Sequence, residues 1–383
     1  MQKSEGEKMC PKIKIVALLC LYWSTNSPAW QERLKQKIAE KNTPSWMCTQ
    51  IKTDLQTFGN GITREMLDSA QRYTRNIVHV KIINNQVHTY TNPDITQIGK
   101  GISAGGNHLP ARHHALHKAL QDLITCITLP DIEFLVVISD GIIDTTDSSG
   151  PLFAFSKHRI LNNNIILMPD PDVLENYDTL YTQALEGSKV YPWAHKIKKA
   201  FWRGGANHQD FSSLDTFKKS PRFNLVATSK AHPFLIDALF TSVDGSAEVK
   251  HWLEKNNFLG DYLSIKDHLQ YAYQIQIDGF TAAWARMYWQ LFCNAIMLKQ
   301  ESNNIQWYYE PLQPYVHYIP LAHDVADIEE KITWADTHNQ EVQQIIKNAN
   351  TFANNNLGYP DILLYIYTLL TEYAKLQHFK PSL

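Results

Sequence analysis

The chain has 383 residues, of which 44% are hydrophobic and 19% are charged, and its formal net charge is −2. This composition is typical of a folded protein with enough apolar material for two domains, and it excludes a disordered chain. Because 36 Lys and Arg residues are balanced by 38 Asp and Glu residues, no net field favours binding to nucleic acid.

The longest apolar run, Ile15 to Trp23, has nine residues, whereas a membrane span needs about 20. Lys12 and Lys14 before it give a faint likeness to a signal peptide, but Tyr22 and Trp23 stand where small residues belong. The run is therefore interpreted as a buried β-strand. Five scattered cysteines without a CxxC pair favour a reducing compartment, so we expect a cytoplasmic protein.

The first half of the chain predicts an α/β unit. Residues 24–75 are polar and amphipathic, as in helices, and residues 77–90 alternate around Asn84–Asn85, which predicts a β-hairpin with its turn at the asparagines. Residues 109–127 predict a helix. Residues 132–139 form a nearly continuous apolar run, which is typical of a strand buried on both faces of a parallel sheet.

A second α/β block begins near Lys198. Two successive blocks predict two Rossmann-like lobes that face a cleft, with the last helix packing back across them. The predicted domains are residues 1–175, 176–355 and 356–383. The predicted elements of this second half are the strand Ala200–Trp202, the helices Pro233–Leu239 and Ala282–Leu298, the strand Val316–Pro320, a helix around 338–353 and the helix Asp361–Gln377.

The segment from Gln276 to Arg286 predicts a phosphate site. A strand runs into a turn at Gly279, Thr281 is a favourable N-cap, and small residues open the predicted helix. The free N–H groups and partial positive charge of a helix N-terminus attract phosphate. Arg286 lies one turn further on the same face, and its partner is either that phosphate or a carboxylate of the other lobe.

This segment and the run from Leu312 to Pro320 (LQPYVHYIP) resemble glycosyltransferase family 90, in which the corresponding run is LKPWVHYIP. The family contains the lipopolysaccharide- and capsule-modifying transferases of microbes and the protein O-glucosyltransferases of animals. The resemblance covers roughly residues 130–375. It implies a two-lobed α/β fold of the GT-B kind and a transferase that takes a UDP-sugar as donor and requires neither a metal nor a cofactor.

The resemblance also implies a donor site. Phe201 to Gly205 (FWRGG) matches the family's FRGS turn, with Gly205 in place of the serine, so a backbone N–H has to replace a hydroxyl contact. Arg222 opens the segment that carries the family's phosphate-contacting arginine. Without the resemblance, Arg203 is interpreted as a surface salt-bridge partner. The implied donor-binding residues are Arg203, Gly204, Gly205, Arg222, Asp278, Gly279, Phe280, Thr281, Ala282, Ala283, Arg286 and Glu310.

Asp140, directly after the apolar strand, is the predicted catalytic base. A carboxylate at the carboxyl end of a buried parallel strand points into the crevice where ligands of open α/β sheets bind. The resemblance implies the base of the family's xxRD strand end, with Ser139 in place of the arginine. The alternative is that Asp140 caps an Asp-Gly turn, in which case Asp144 and Asp147 are fallback bases.

Two patterns that look like metal sites are not interpreted as such. His113 and His117 have i,i+4 spacing but no evident third ligand, so an exposed polar helix face is expected. Asp170-Pro171-Asp172 has the form of a metal-binding DxD motif, but proline stands on both sides of Asp170, so it is interpreted as a turn. No metal is expected.

The resemblance predicts a bacterial, inverting transferase that moves a hexose or pentose to a hydroxyl of a lipopolysaccharide or capsular glycan. We expect it to associate peripherally with the inner face of the cytoplasmic membrane. One alternative is a protein O-glucosyl- or xylosyltransferase acting on Ser, although residues 171–195 match the animal acceptor-side segments poorly. Another is a catalytically inactive UDP-sugar-binding protein, as Ser139 and Gly205 would indicate.

Overall fold

A computed structural model describes residues 28–72, 76–91, 109–140, 150–161, 163–207, 213–243 and 246–383. The strand predicted at Ile15–Trp23 lies outside these residues, as do Asp144 and Asp147. Within the described ranges, two five-stranded sheets form the centres of two α/β lobes, with a cleft between them. This is the predicted two-lobed α/β arrangement of the GT-B kind.

The first lobe begins with three helices and a hairpin. The helices are α1 (Pro28–Ala39), α2 (Ser45–Leu55) and α3 (Arg64–Gln71), and the hairpin strands are β1 (Ile77–Ile83) and β2 (Gln86–Thr91). Asn84 and Asn85 have positive φ angles of 50° and 60°, as the twist of a two-residue hairpin turn requires. The predicted hairpin is confirmed.

Helix α4 (Leu109–Cys126) leads into the centre of this lobe's sheet. The sheet continues with β3 (Ile132–Val137), β4 (Leu152–Ala154) and β6 (Ile165–Leu167). The short strand β5 (Lys157–His158) lies between β4 and β6 in the chain but does not belong to this sheet. The strand order is β2-β1-β3-β4-β6, in which β3, β4 and β6 are parallel and β1 is antiparallel to both neighbours. All six residues of β3 are buried, which confirms the predicted buried strand.

Helix α5 (Pro171–Val190) follows this sheet and packs against α4. The Asp170 carboxylate accepts hydrogen bonds from the backbone N–H groups of Asp172 and Val173 at 3.1 and 3.3 Å. Pro171 occupies the first helical position, where its missing N–H costs nothing. The interpretation of this segment as a turn is therefore wrong, because it is a helix N-cap.

The second lobe begins at β7 (Ile197–Gly205), which pairs in parallel with β8 (Ile236–Ser242). The helix predicted at Pro233–Leu239 is wrong: Ile236, Ala238 and Phe240 are buried in alternation, which is the period of a strand. The remaining elements of this part are α6 (Leu214–Phe217), α7 (Pro221–Ala231), α8 (Ala247–Lys255), α9 (Ile265–His268) and β9 (Tyr271–Gln276).

The helix predicted at Ala282–Leu298 is also wrong. The apolar run is divided between α10 (Trp284–Gln290), a turn, and the buried strand β10 (Ile296–Gln300). Continuous apolar character does not by itself distinguish a buried helix from a buried strand. Strands β11 (Asn304–Ile305) and β12 (Ile319–Leu321) follow, and the second sheet is entirely parallel, in the order β12-β10-β9-β7-β8.

Three helices complete the chain: α11 (Ile328–Thr337), α12 (Asn339–Asn356) and α13 (Tyr359–Leu376). Helix α13 packs against α1 and α2, so the chain returns to the first lobe as predicted. The lobes are further joined by antiparallel pairing of β5 with β11. The predicted domain limits stay predictions. No helix in the described part of the chain is long and apolar enough to cross a membrane.

Candidate functional site

Arg222 is held at the carboxyl ends of β7 and β9. Its Nε donates to the Asp278 carbonyl at 2.7 Å, and its Nη1 donates to the Gly205 carbonyl at 2.8 Å and to Asn207 Oδ1. Ser220 caps α7, which places Arg222 in the first turn of that helix. These bonds fix the orientation of the guanidinium at the strand ends.

Gly279 leaves space for this arginine. A Cβ atom at position 279 would lie 2.5 Å from Asn207 Oδ1 and 2.8 Å from Arg222 Nη2. Both distances are shorter than a Cβ atom normally shows, so a side chain at position 279 would require Asn207 and Arg222 to shift from the positions that they hold here. The glycine identified in the sequence therefore has a packing role beside the charge.

Asp140 follows β3 in the facing lobe. Its side chain is 37% exposed, and its Oδ1 accepts a hydrogen bond from Arg112 Nη2 at 2.5 Å. Thr281 Oγ1 of the second lobe donates to the Asp140 backbone carbonyl at 2.7 Å. The carboxylate is thus placed at the junction of the two lobes.

The role predicted for Thr281 as an N-cap is wrong. Helix α10 begins at Trp284, and its N-cap is Ala283, which makes no side-chain capping bond. The helix has only seven residues, so the long helix whose N-terminus was predicted to bind phosphate is not formed. Thr281 instead joins the lobes through its bond to Asp140.

Asp140 and Arg222 line the same cavity between the lobes, which has a volume of about 170 Å³. Typical small-molecule sites have roughly 300–1,000 Å³, so this cavity can enclose only part of a large ligand. It brings the carboxylate of Asp140 and the guanidinium of Arg222 to the wall of one space. The other predicted site residues that line it are Gly279, Phe280, Thr281, Ala282 and Ala283.

The FWRGG segment, Phe201 to Gly205, lies next to the cavity and contacts Arg222. Arg203 forms an ion pair with Asp237, with 2.7 Å between Nη2 and Oδ1, which confirms the predicted salt bridge, but the Arg203 side chain is only 10% exposed and does not lie on the surface as predicted. Gly204 lies against the Trp202 ring, which a Cβ at 204 would approach to 2.5 Å. Gly205 contributes its carbonyl to Arg222. Among the described residues that line the cavity, none is Arg203, Gly204 or Gly205.

Arg286 does not line the cavity either. Its guanidinium donates to the Arg203 carbonyl, and its Cζ lies 5.8 Å from the centroid of the Trp202 ring. Burial lowers the pKa of the Arg286 guanidinium to about 10, so it remains charged at neutral pH. Within the described ranges it forms no ion pair with a carboxylate, so the alternative partner considered for it is not observed.

Asp278 and Glu310 have other surroundings. Burial raises the pKa of the Asp278 carboxyl, against hydrogen bonds from Ser302 Oγ at 2.5 Å and Asn304 Nδ2 at 3.0 Å. The Asp278 side chain therefore fixes the turn between β10 and β11, while its carbonyl holds Arg222. Glu310 lines a separate cavity of about 550 Å³, together with Lys299 among others.

Four residues that line the site cavity were not assigned from the sequence. Asn207 follows Gly205 by two positions, and proximity to that motif is the one signal that would have indicated it. Asp172 belongs to the segment interpreted as a turn. The other two, which come together only in the tertiary structure, are Arg112 and Trp284.

His113 and His117 of α4 are half-buried and do not form the exposed polar face that was predicted. His113 Nε2 and His117 Nδ1 both bond to Thr89 Oγ1 of β2, at 2.9 and 3.2 Å. Burial lowers the pKa of His113. Among the residues that the structure describes, no group of three or more His, Cys, Asp or Glu side chains is arranged to hold a metal ion.

Residues 39–383 match the family model described as Glycosyl transferase family 90. Protein O-glucosyltransferase 2 of Danio rerio is 29% identical over 344 residues, which cover 87% of this chain and 63% of that protein. Protein O-glucosyltransferase 3 of Mus musculus is 30% identical over 277 residues, which cover 70% and 52%. Protein O-glucosyltransferase 1 of Homo sapiens is 24% identical over 339 residues, which cover 85% and 79%. The chain spans about half to two-thirds of the length of the first two relatives.

Solved structures give weaker matches. Anabaena Alr3699/HepE in complex with UDP and glucose has 10% identity and a TM-score of 0.34, over 50% of this chain and 54% of that chain. The C-terminal domain of LpcC, a glycosyl transferase group 1 family protein from Francisella tularensis, has 10% identity and a TM-score of 0.29, over 50% and 95%.

Proposed function

Because the chain belongs to glycosyl transferase family 90, we propose that it transfers a hexose or pentose from a UDP-sugar to a hydroxyl group, with inversion and without a metal ion. The observation that carries this proposal is the cavity in which Asp140 of one lobe and Arg222 of the other meet. These two groups supply what such a transfer requires, a proton acceptor for the hydroxyl and a positive charge for the departing diphosphate.

The proposed reaction is a single displacement. Asp140 accepts the proton of the acceptor hydroxyl while the hydroxyl oxygen attacks the anomeric carbon of the sugar. The bond between that carbon and the UDP oxygen breaks on the opposite face, so the configuration is inverted. Negative charge accumulates on the diphosphate, and Arg222 stabilises it in the role that a metal ion has in other transferases. The backbone from Gly279 to Ala283 lines the same cavity and permits close approach of the donor.

We propose a lipopolysaccharide or capsular glycan as the acceptor, which would place the protein in the cytoplasm, peripherally bound at the inner face of the membrane. Support comes from the family resemblance. A serine of a folded protein domain is the second candidate acceptor. The observation that favours it is the 24–30% identity to protein O-glucosyltransferases.

The proposal is tested by measuring UDP release from a panel of UDP-sugars in the presence of EDTA. One donor should be turned over, and EDTA should not reduce the rate. Lipooligosaccharide and a folded serine-containing domain are then offered as acceptors, and the anomeric configuration of the product is determined by NMR. A β-linked product from a UDP-α-sugar supports inversion. Loss of activity with EDTA, or an α-linked product, contradicts the mechanism. UDP binding without turnover identifies an inactive sugar-nucleotide-binding protein.

A further inference from the structure

One ion pair at the cavity has no part in the displacement as described. Arg112, in the first turn of α4, donates from Nη2 to Asp140 Oδ1 at 2.5 Å and from Nη1 to the Ile138 carbonyl at 2.9 Å. The Arg112 side chain is only 14% exposed. One planar guanidinium therefore binds both the carboxylate and the end of the strand that carries it, and its fork of donors is rigid.

The facing lobe fixes this guanidinium from the other side. Its Cζ lies 4.7 Å from the centroid of the Trp284 ring, and the Trp284 ring in turn packs edge-on against Phe155 at 5.5 Å. A cation over the face of an aromatic ring is attracted by the ring quadrupole, more strongly where water is excluded. Arg112 is thus held by the backbone, the carboxylate and the stacked ring together.

The two carboxylate oxygens of Asp140 have different surroundings. Oδ1 is occupied by Arg112, whereas no hydrogen bond to Oδ2 is present among the described residues. The cation comes from α4 and not from Ser139, the residue before Asp140 in the chain. Among the described residues, the charged side chains that line the cavity with Asp140 are those of Arg112, Asp172 and Arg222, and Arg112 forms an ion pair with it.

We propose that Arg112 is a positioning residue: it holds Asp140 Oδ1 so that Oδ2 is directed to accept the acceptor proton. This inference rests on the proposed function, since it concerns the same base. Arg112 acts through Asp140, so replacing Arg112 should lower the rate of the chemical step and leave the affinity for the donor unchanged. A displacement of about 1 Å in such a group can cost about 10²-fold in rate.

The test compares kcat and KM for the donor in the wild type, Arg112→Gln, Arg112→Lys, Asp140→Asn and the double variant Arg112→Gln/Asp140→Asn. Arg112→Gln should lower kcat about 10- to 100-fold and change KM less than about 2-fold. Arg112→Lys, which keeps the charge, should recover part of the loss. The double variant should be no slower than Asp140→Asn alone, because both changes remove the same function.

The matched control is Lys118→Gln on the same helix, which breaks the ion pair of Lys118 with Asp122, 2.7 Å long and outside the cavity. Its kcat should equal that of the wild type. A raised KM in Arg112→Gln would make Arg112 a donor-binding residue, and a further loss in the double variant would show that it acts independently of Asp140; either overturns the inference. Wild-type kcat in Arg112→Gln also overturns it and leaves the proposed function intact. If the wild type turns over no donor, the proposed function fails and the inference fails with it.

Discussion

Strand β3 has a carboxylate close to each end, and the two have opposite surroundings. Glu133 is fully buried, and it accepts hydrogen bonds from both terminal nitrogens of Arg64, at 2.5 and 2.7 Å, and from His79 at 2.7 Å. Asp140 is 37% exposed at the cavity wall, with Arg112 on one oxygen. A carboxylate that is saturated by cations stabilises the fold, whereas one with an oxygen that accepts no hydrogen bond from the described residues, beside a cavity, fits the proposed role of a base.

The arginines show the same contrast. Arg64 is neutralised by Glu133, and Arg286 is turned away from the cavity toward the Arg203 carbonyl. Arg222 donates to the backbone carbonyls of Asp278 and Gly205 and lines the cavity. The comparison therefore predicts that substitutions at Asp140 and Arg222 change turnover, and that substitution at Glu133 changes stability.

The largest effect on turnover is expected from Asp140→Asn. The amide cannot accept the hydroxyl proton, so UDP release from the donor should fall about 10²- to 10⁴-fold. Because Asp140 is only half-buried and the asparagine keeps a side-chain oxygen that can accept the hydrogen bond from Arg112, the unfolding temperature should stay close to that of the wild type. Steady-state kinetics and a thermal melt measure both quantities, and a fall of less than about 3-fold would remove Asp140 from the role of base.

Arg222→Ala should reduce kcat/KM about 10²-fold, because it removes the positive charge that stabilises the departing diphosphate. Arg286→Ala is the matched control, an arginine of the same lobe that donates to a backbone carbonyl outside the cavity. Its loss should be less than about 3-fold. If instead kcat/KM falls as far in Arg286→Ala as in Arg222→Ala, Arg286 binds the diphosphate as the sequence predicts, and the cavity beside Arg222 is not the whole donor site.

Gly279→Ala should reduce turnover about 10-fold, because the new Cβ displaces Asn207 and Arg222, from which it would lie 2.5 and 2.8 Å. Gly59→Ala provides the control, since a Cβ at that position meets its nearest atom at an ordinary 3.4 Å. Steady-state kinetics on both variants decide the point. Equal turnover in the two would show that the packing of glycine against Arg222 has no functional importance.

Glu133→Gln should leave the turnover of the folded protein unchanged and lower its free energy of unfolding by about 3 kcal/mol at pH 7, as for a broken buried ion pair. Burial alone would raise the pKa of the Glu133 carboxyl, but hydrogen bonds from His79 and Arg64 lower it to about 2. Since the pKa in the folded state is below its ordinary value of 4.5, this stabilisation is present above pH 4.5 and is lost as the pH falls toward 2.

Urea unfolding of wild type and Glu133→Gln at several pH values measures this difference. The gap between the two proteins should narrow as the pH falls from 4.5 toward 2. A gap that is constant with pH, or a loss of turnover in the folded variant, would mean that the two carboxylates of β3 do not have the separate roles described.

The parts of the fold that were predictable are those with a local signal. The asparagine turn fixed the hairpin, and the continuous apolar run of β3 required a strand buried on both faces. The run after Trp284 does not distinguish a helix from a strand, because burial on all sides removes the periodicity that separates the two. At Ile236–Ser242 the alternation of a strand is present in the sequence, but it follows Pro233, which is also typical of the first position of a helix.

The site was predictable where a residue type is required by the backbone. Gly279 and Asp140 both follow strands. The close approach of the backbone to Arg222 favours a glycine at 279, and a carboxylate directly after a buried apolar strand is recognisable in the sequence. The pairing of Arg112 with Asp140 joins residues 28 positions apart and leaves no local pattern. Arg222 and Arg286 also look alike in the sequence, and only the tertiary structure shows which guanidinium lines the cavity.

The most direct test of the claim that the donor binds between Asp140 and Arg222 is a calorimetric titration of UDP into the wild type, Asp140→Asn and Arg222→Ala. We predict that UDP binds the wild type and Asp140→Asn with the same Kd, because the base contacts the acceptor side, and that Arg222→Ala binds at least about 10-fold more weakly. Unchanged UDP affinity in Arg222→Ala would contradict the account.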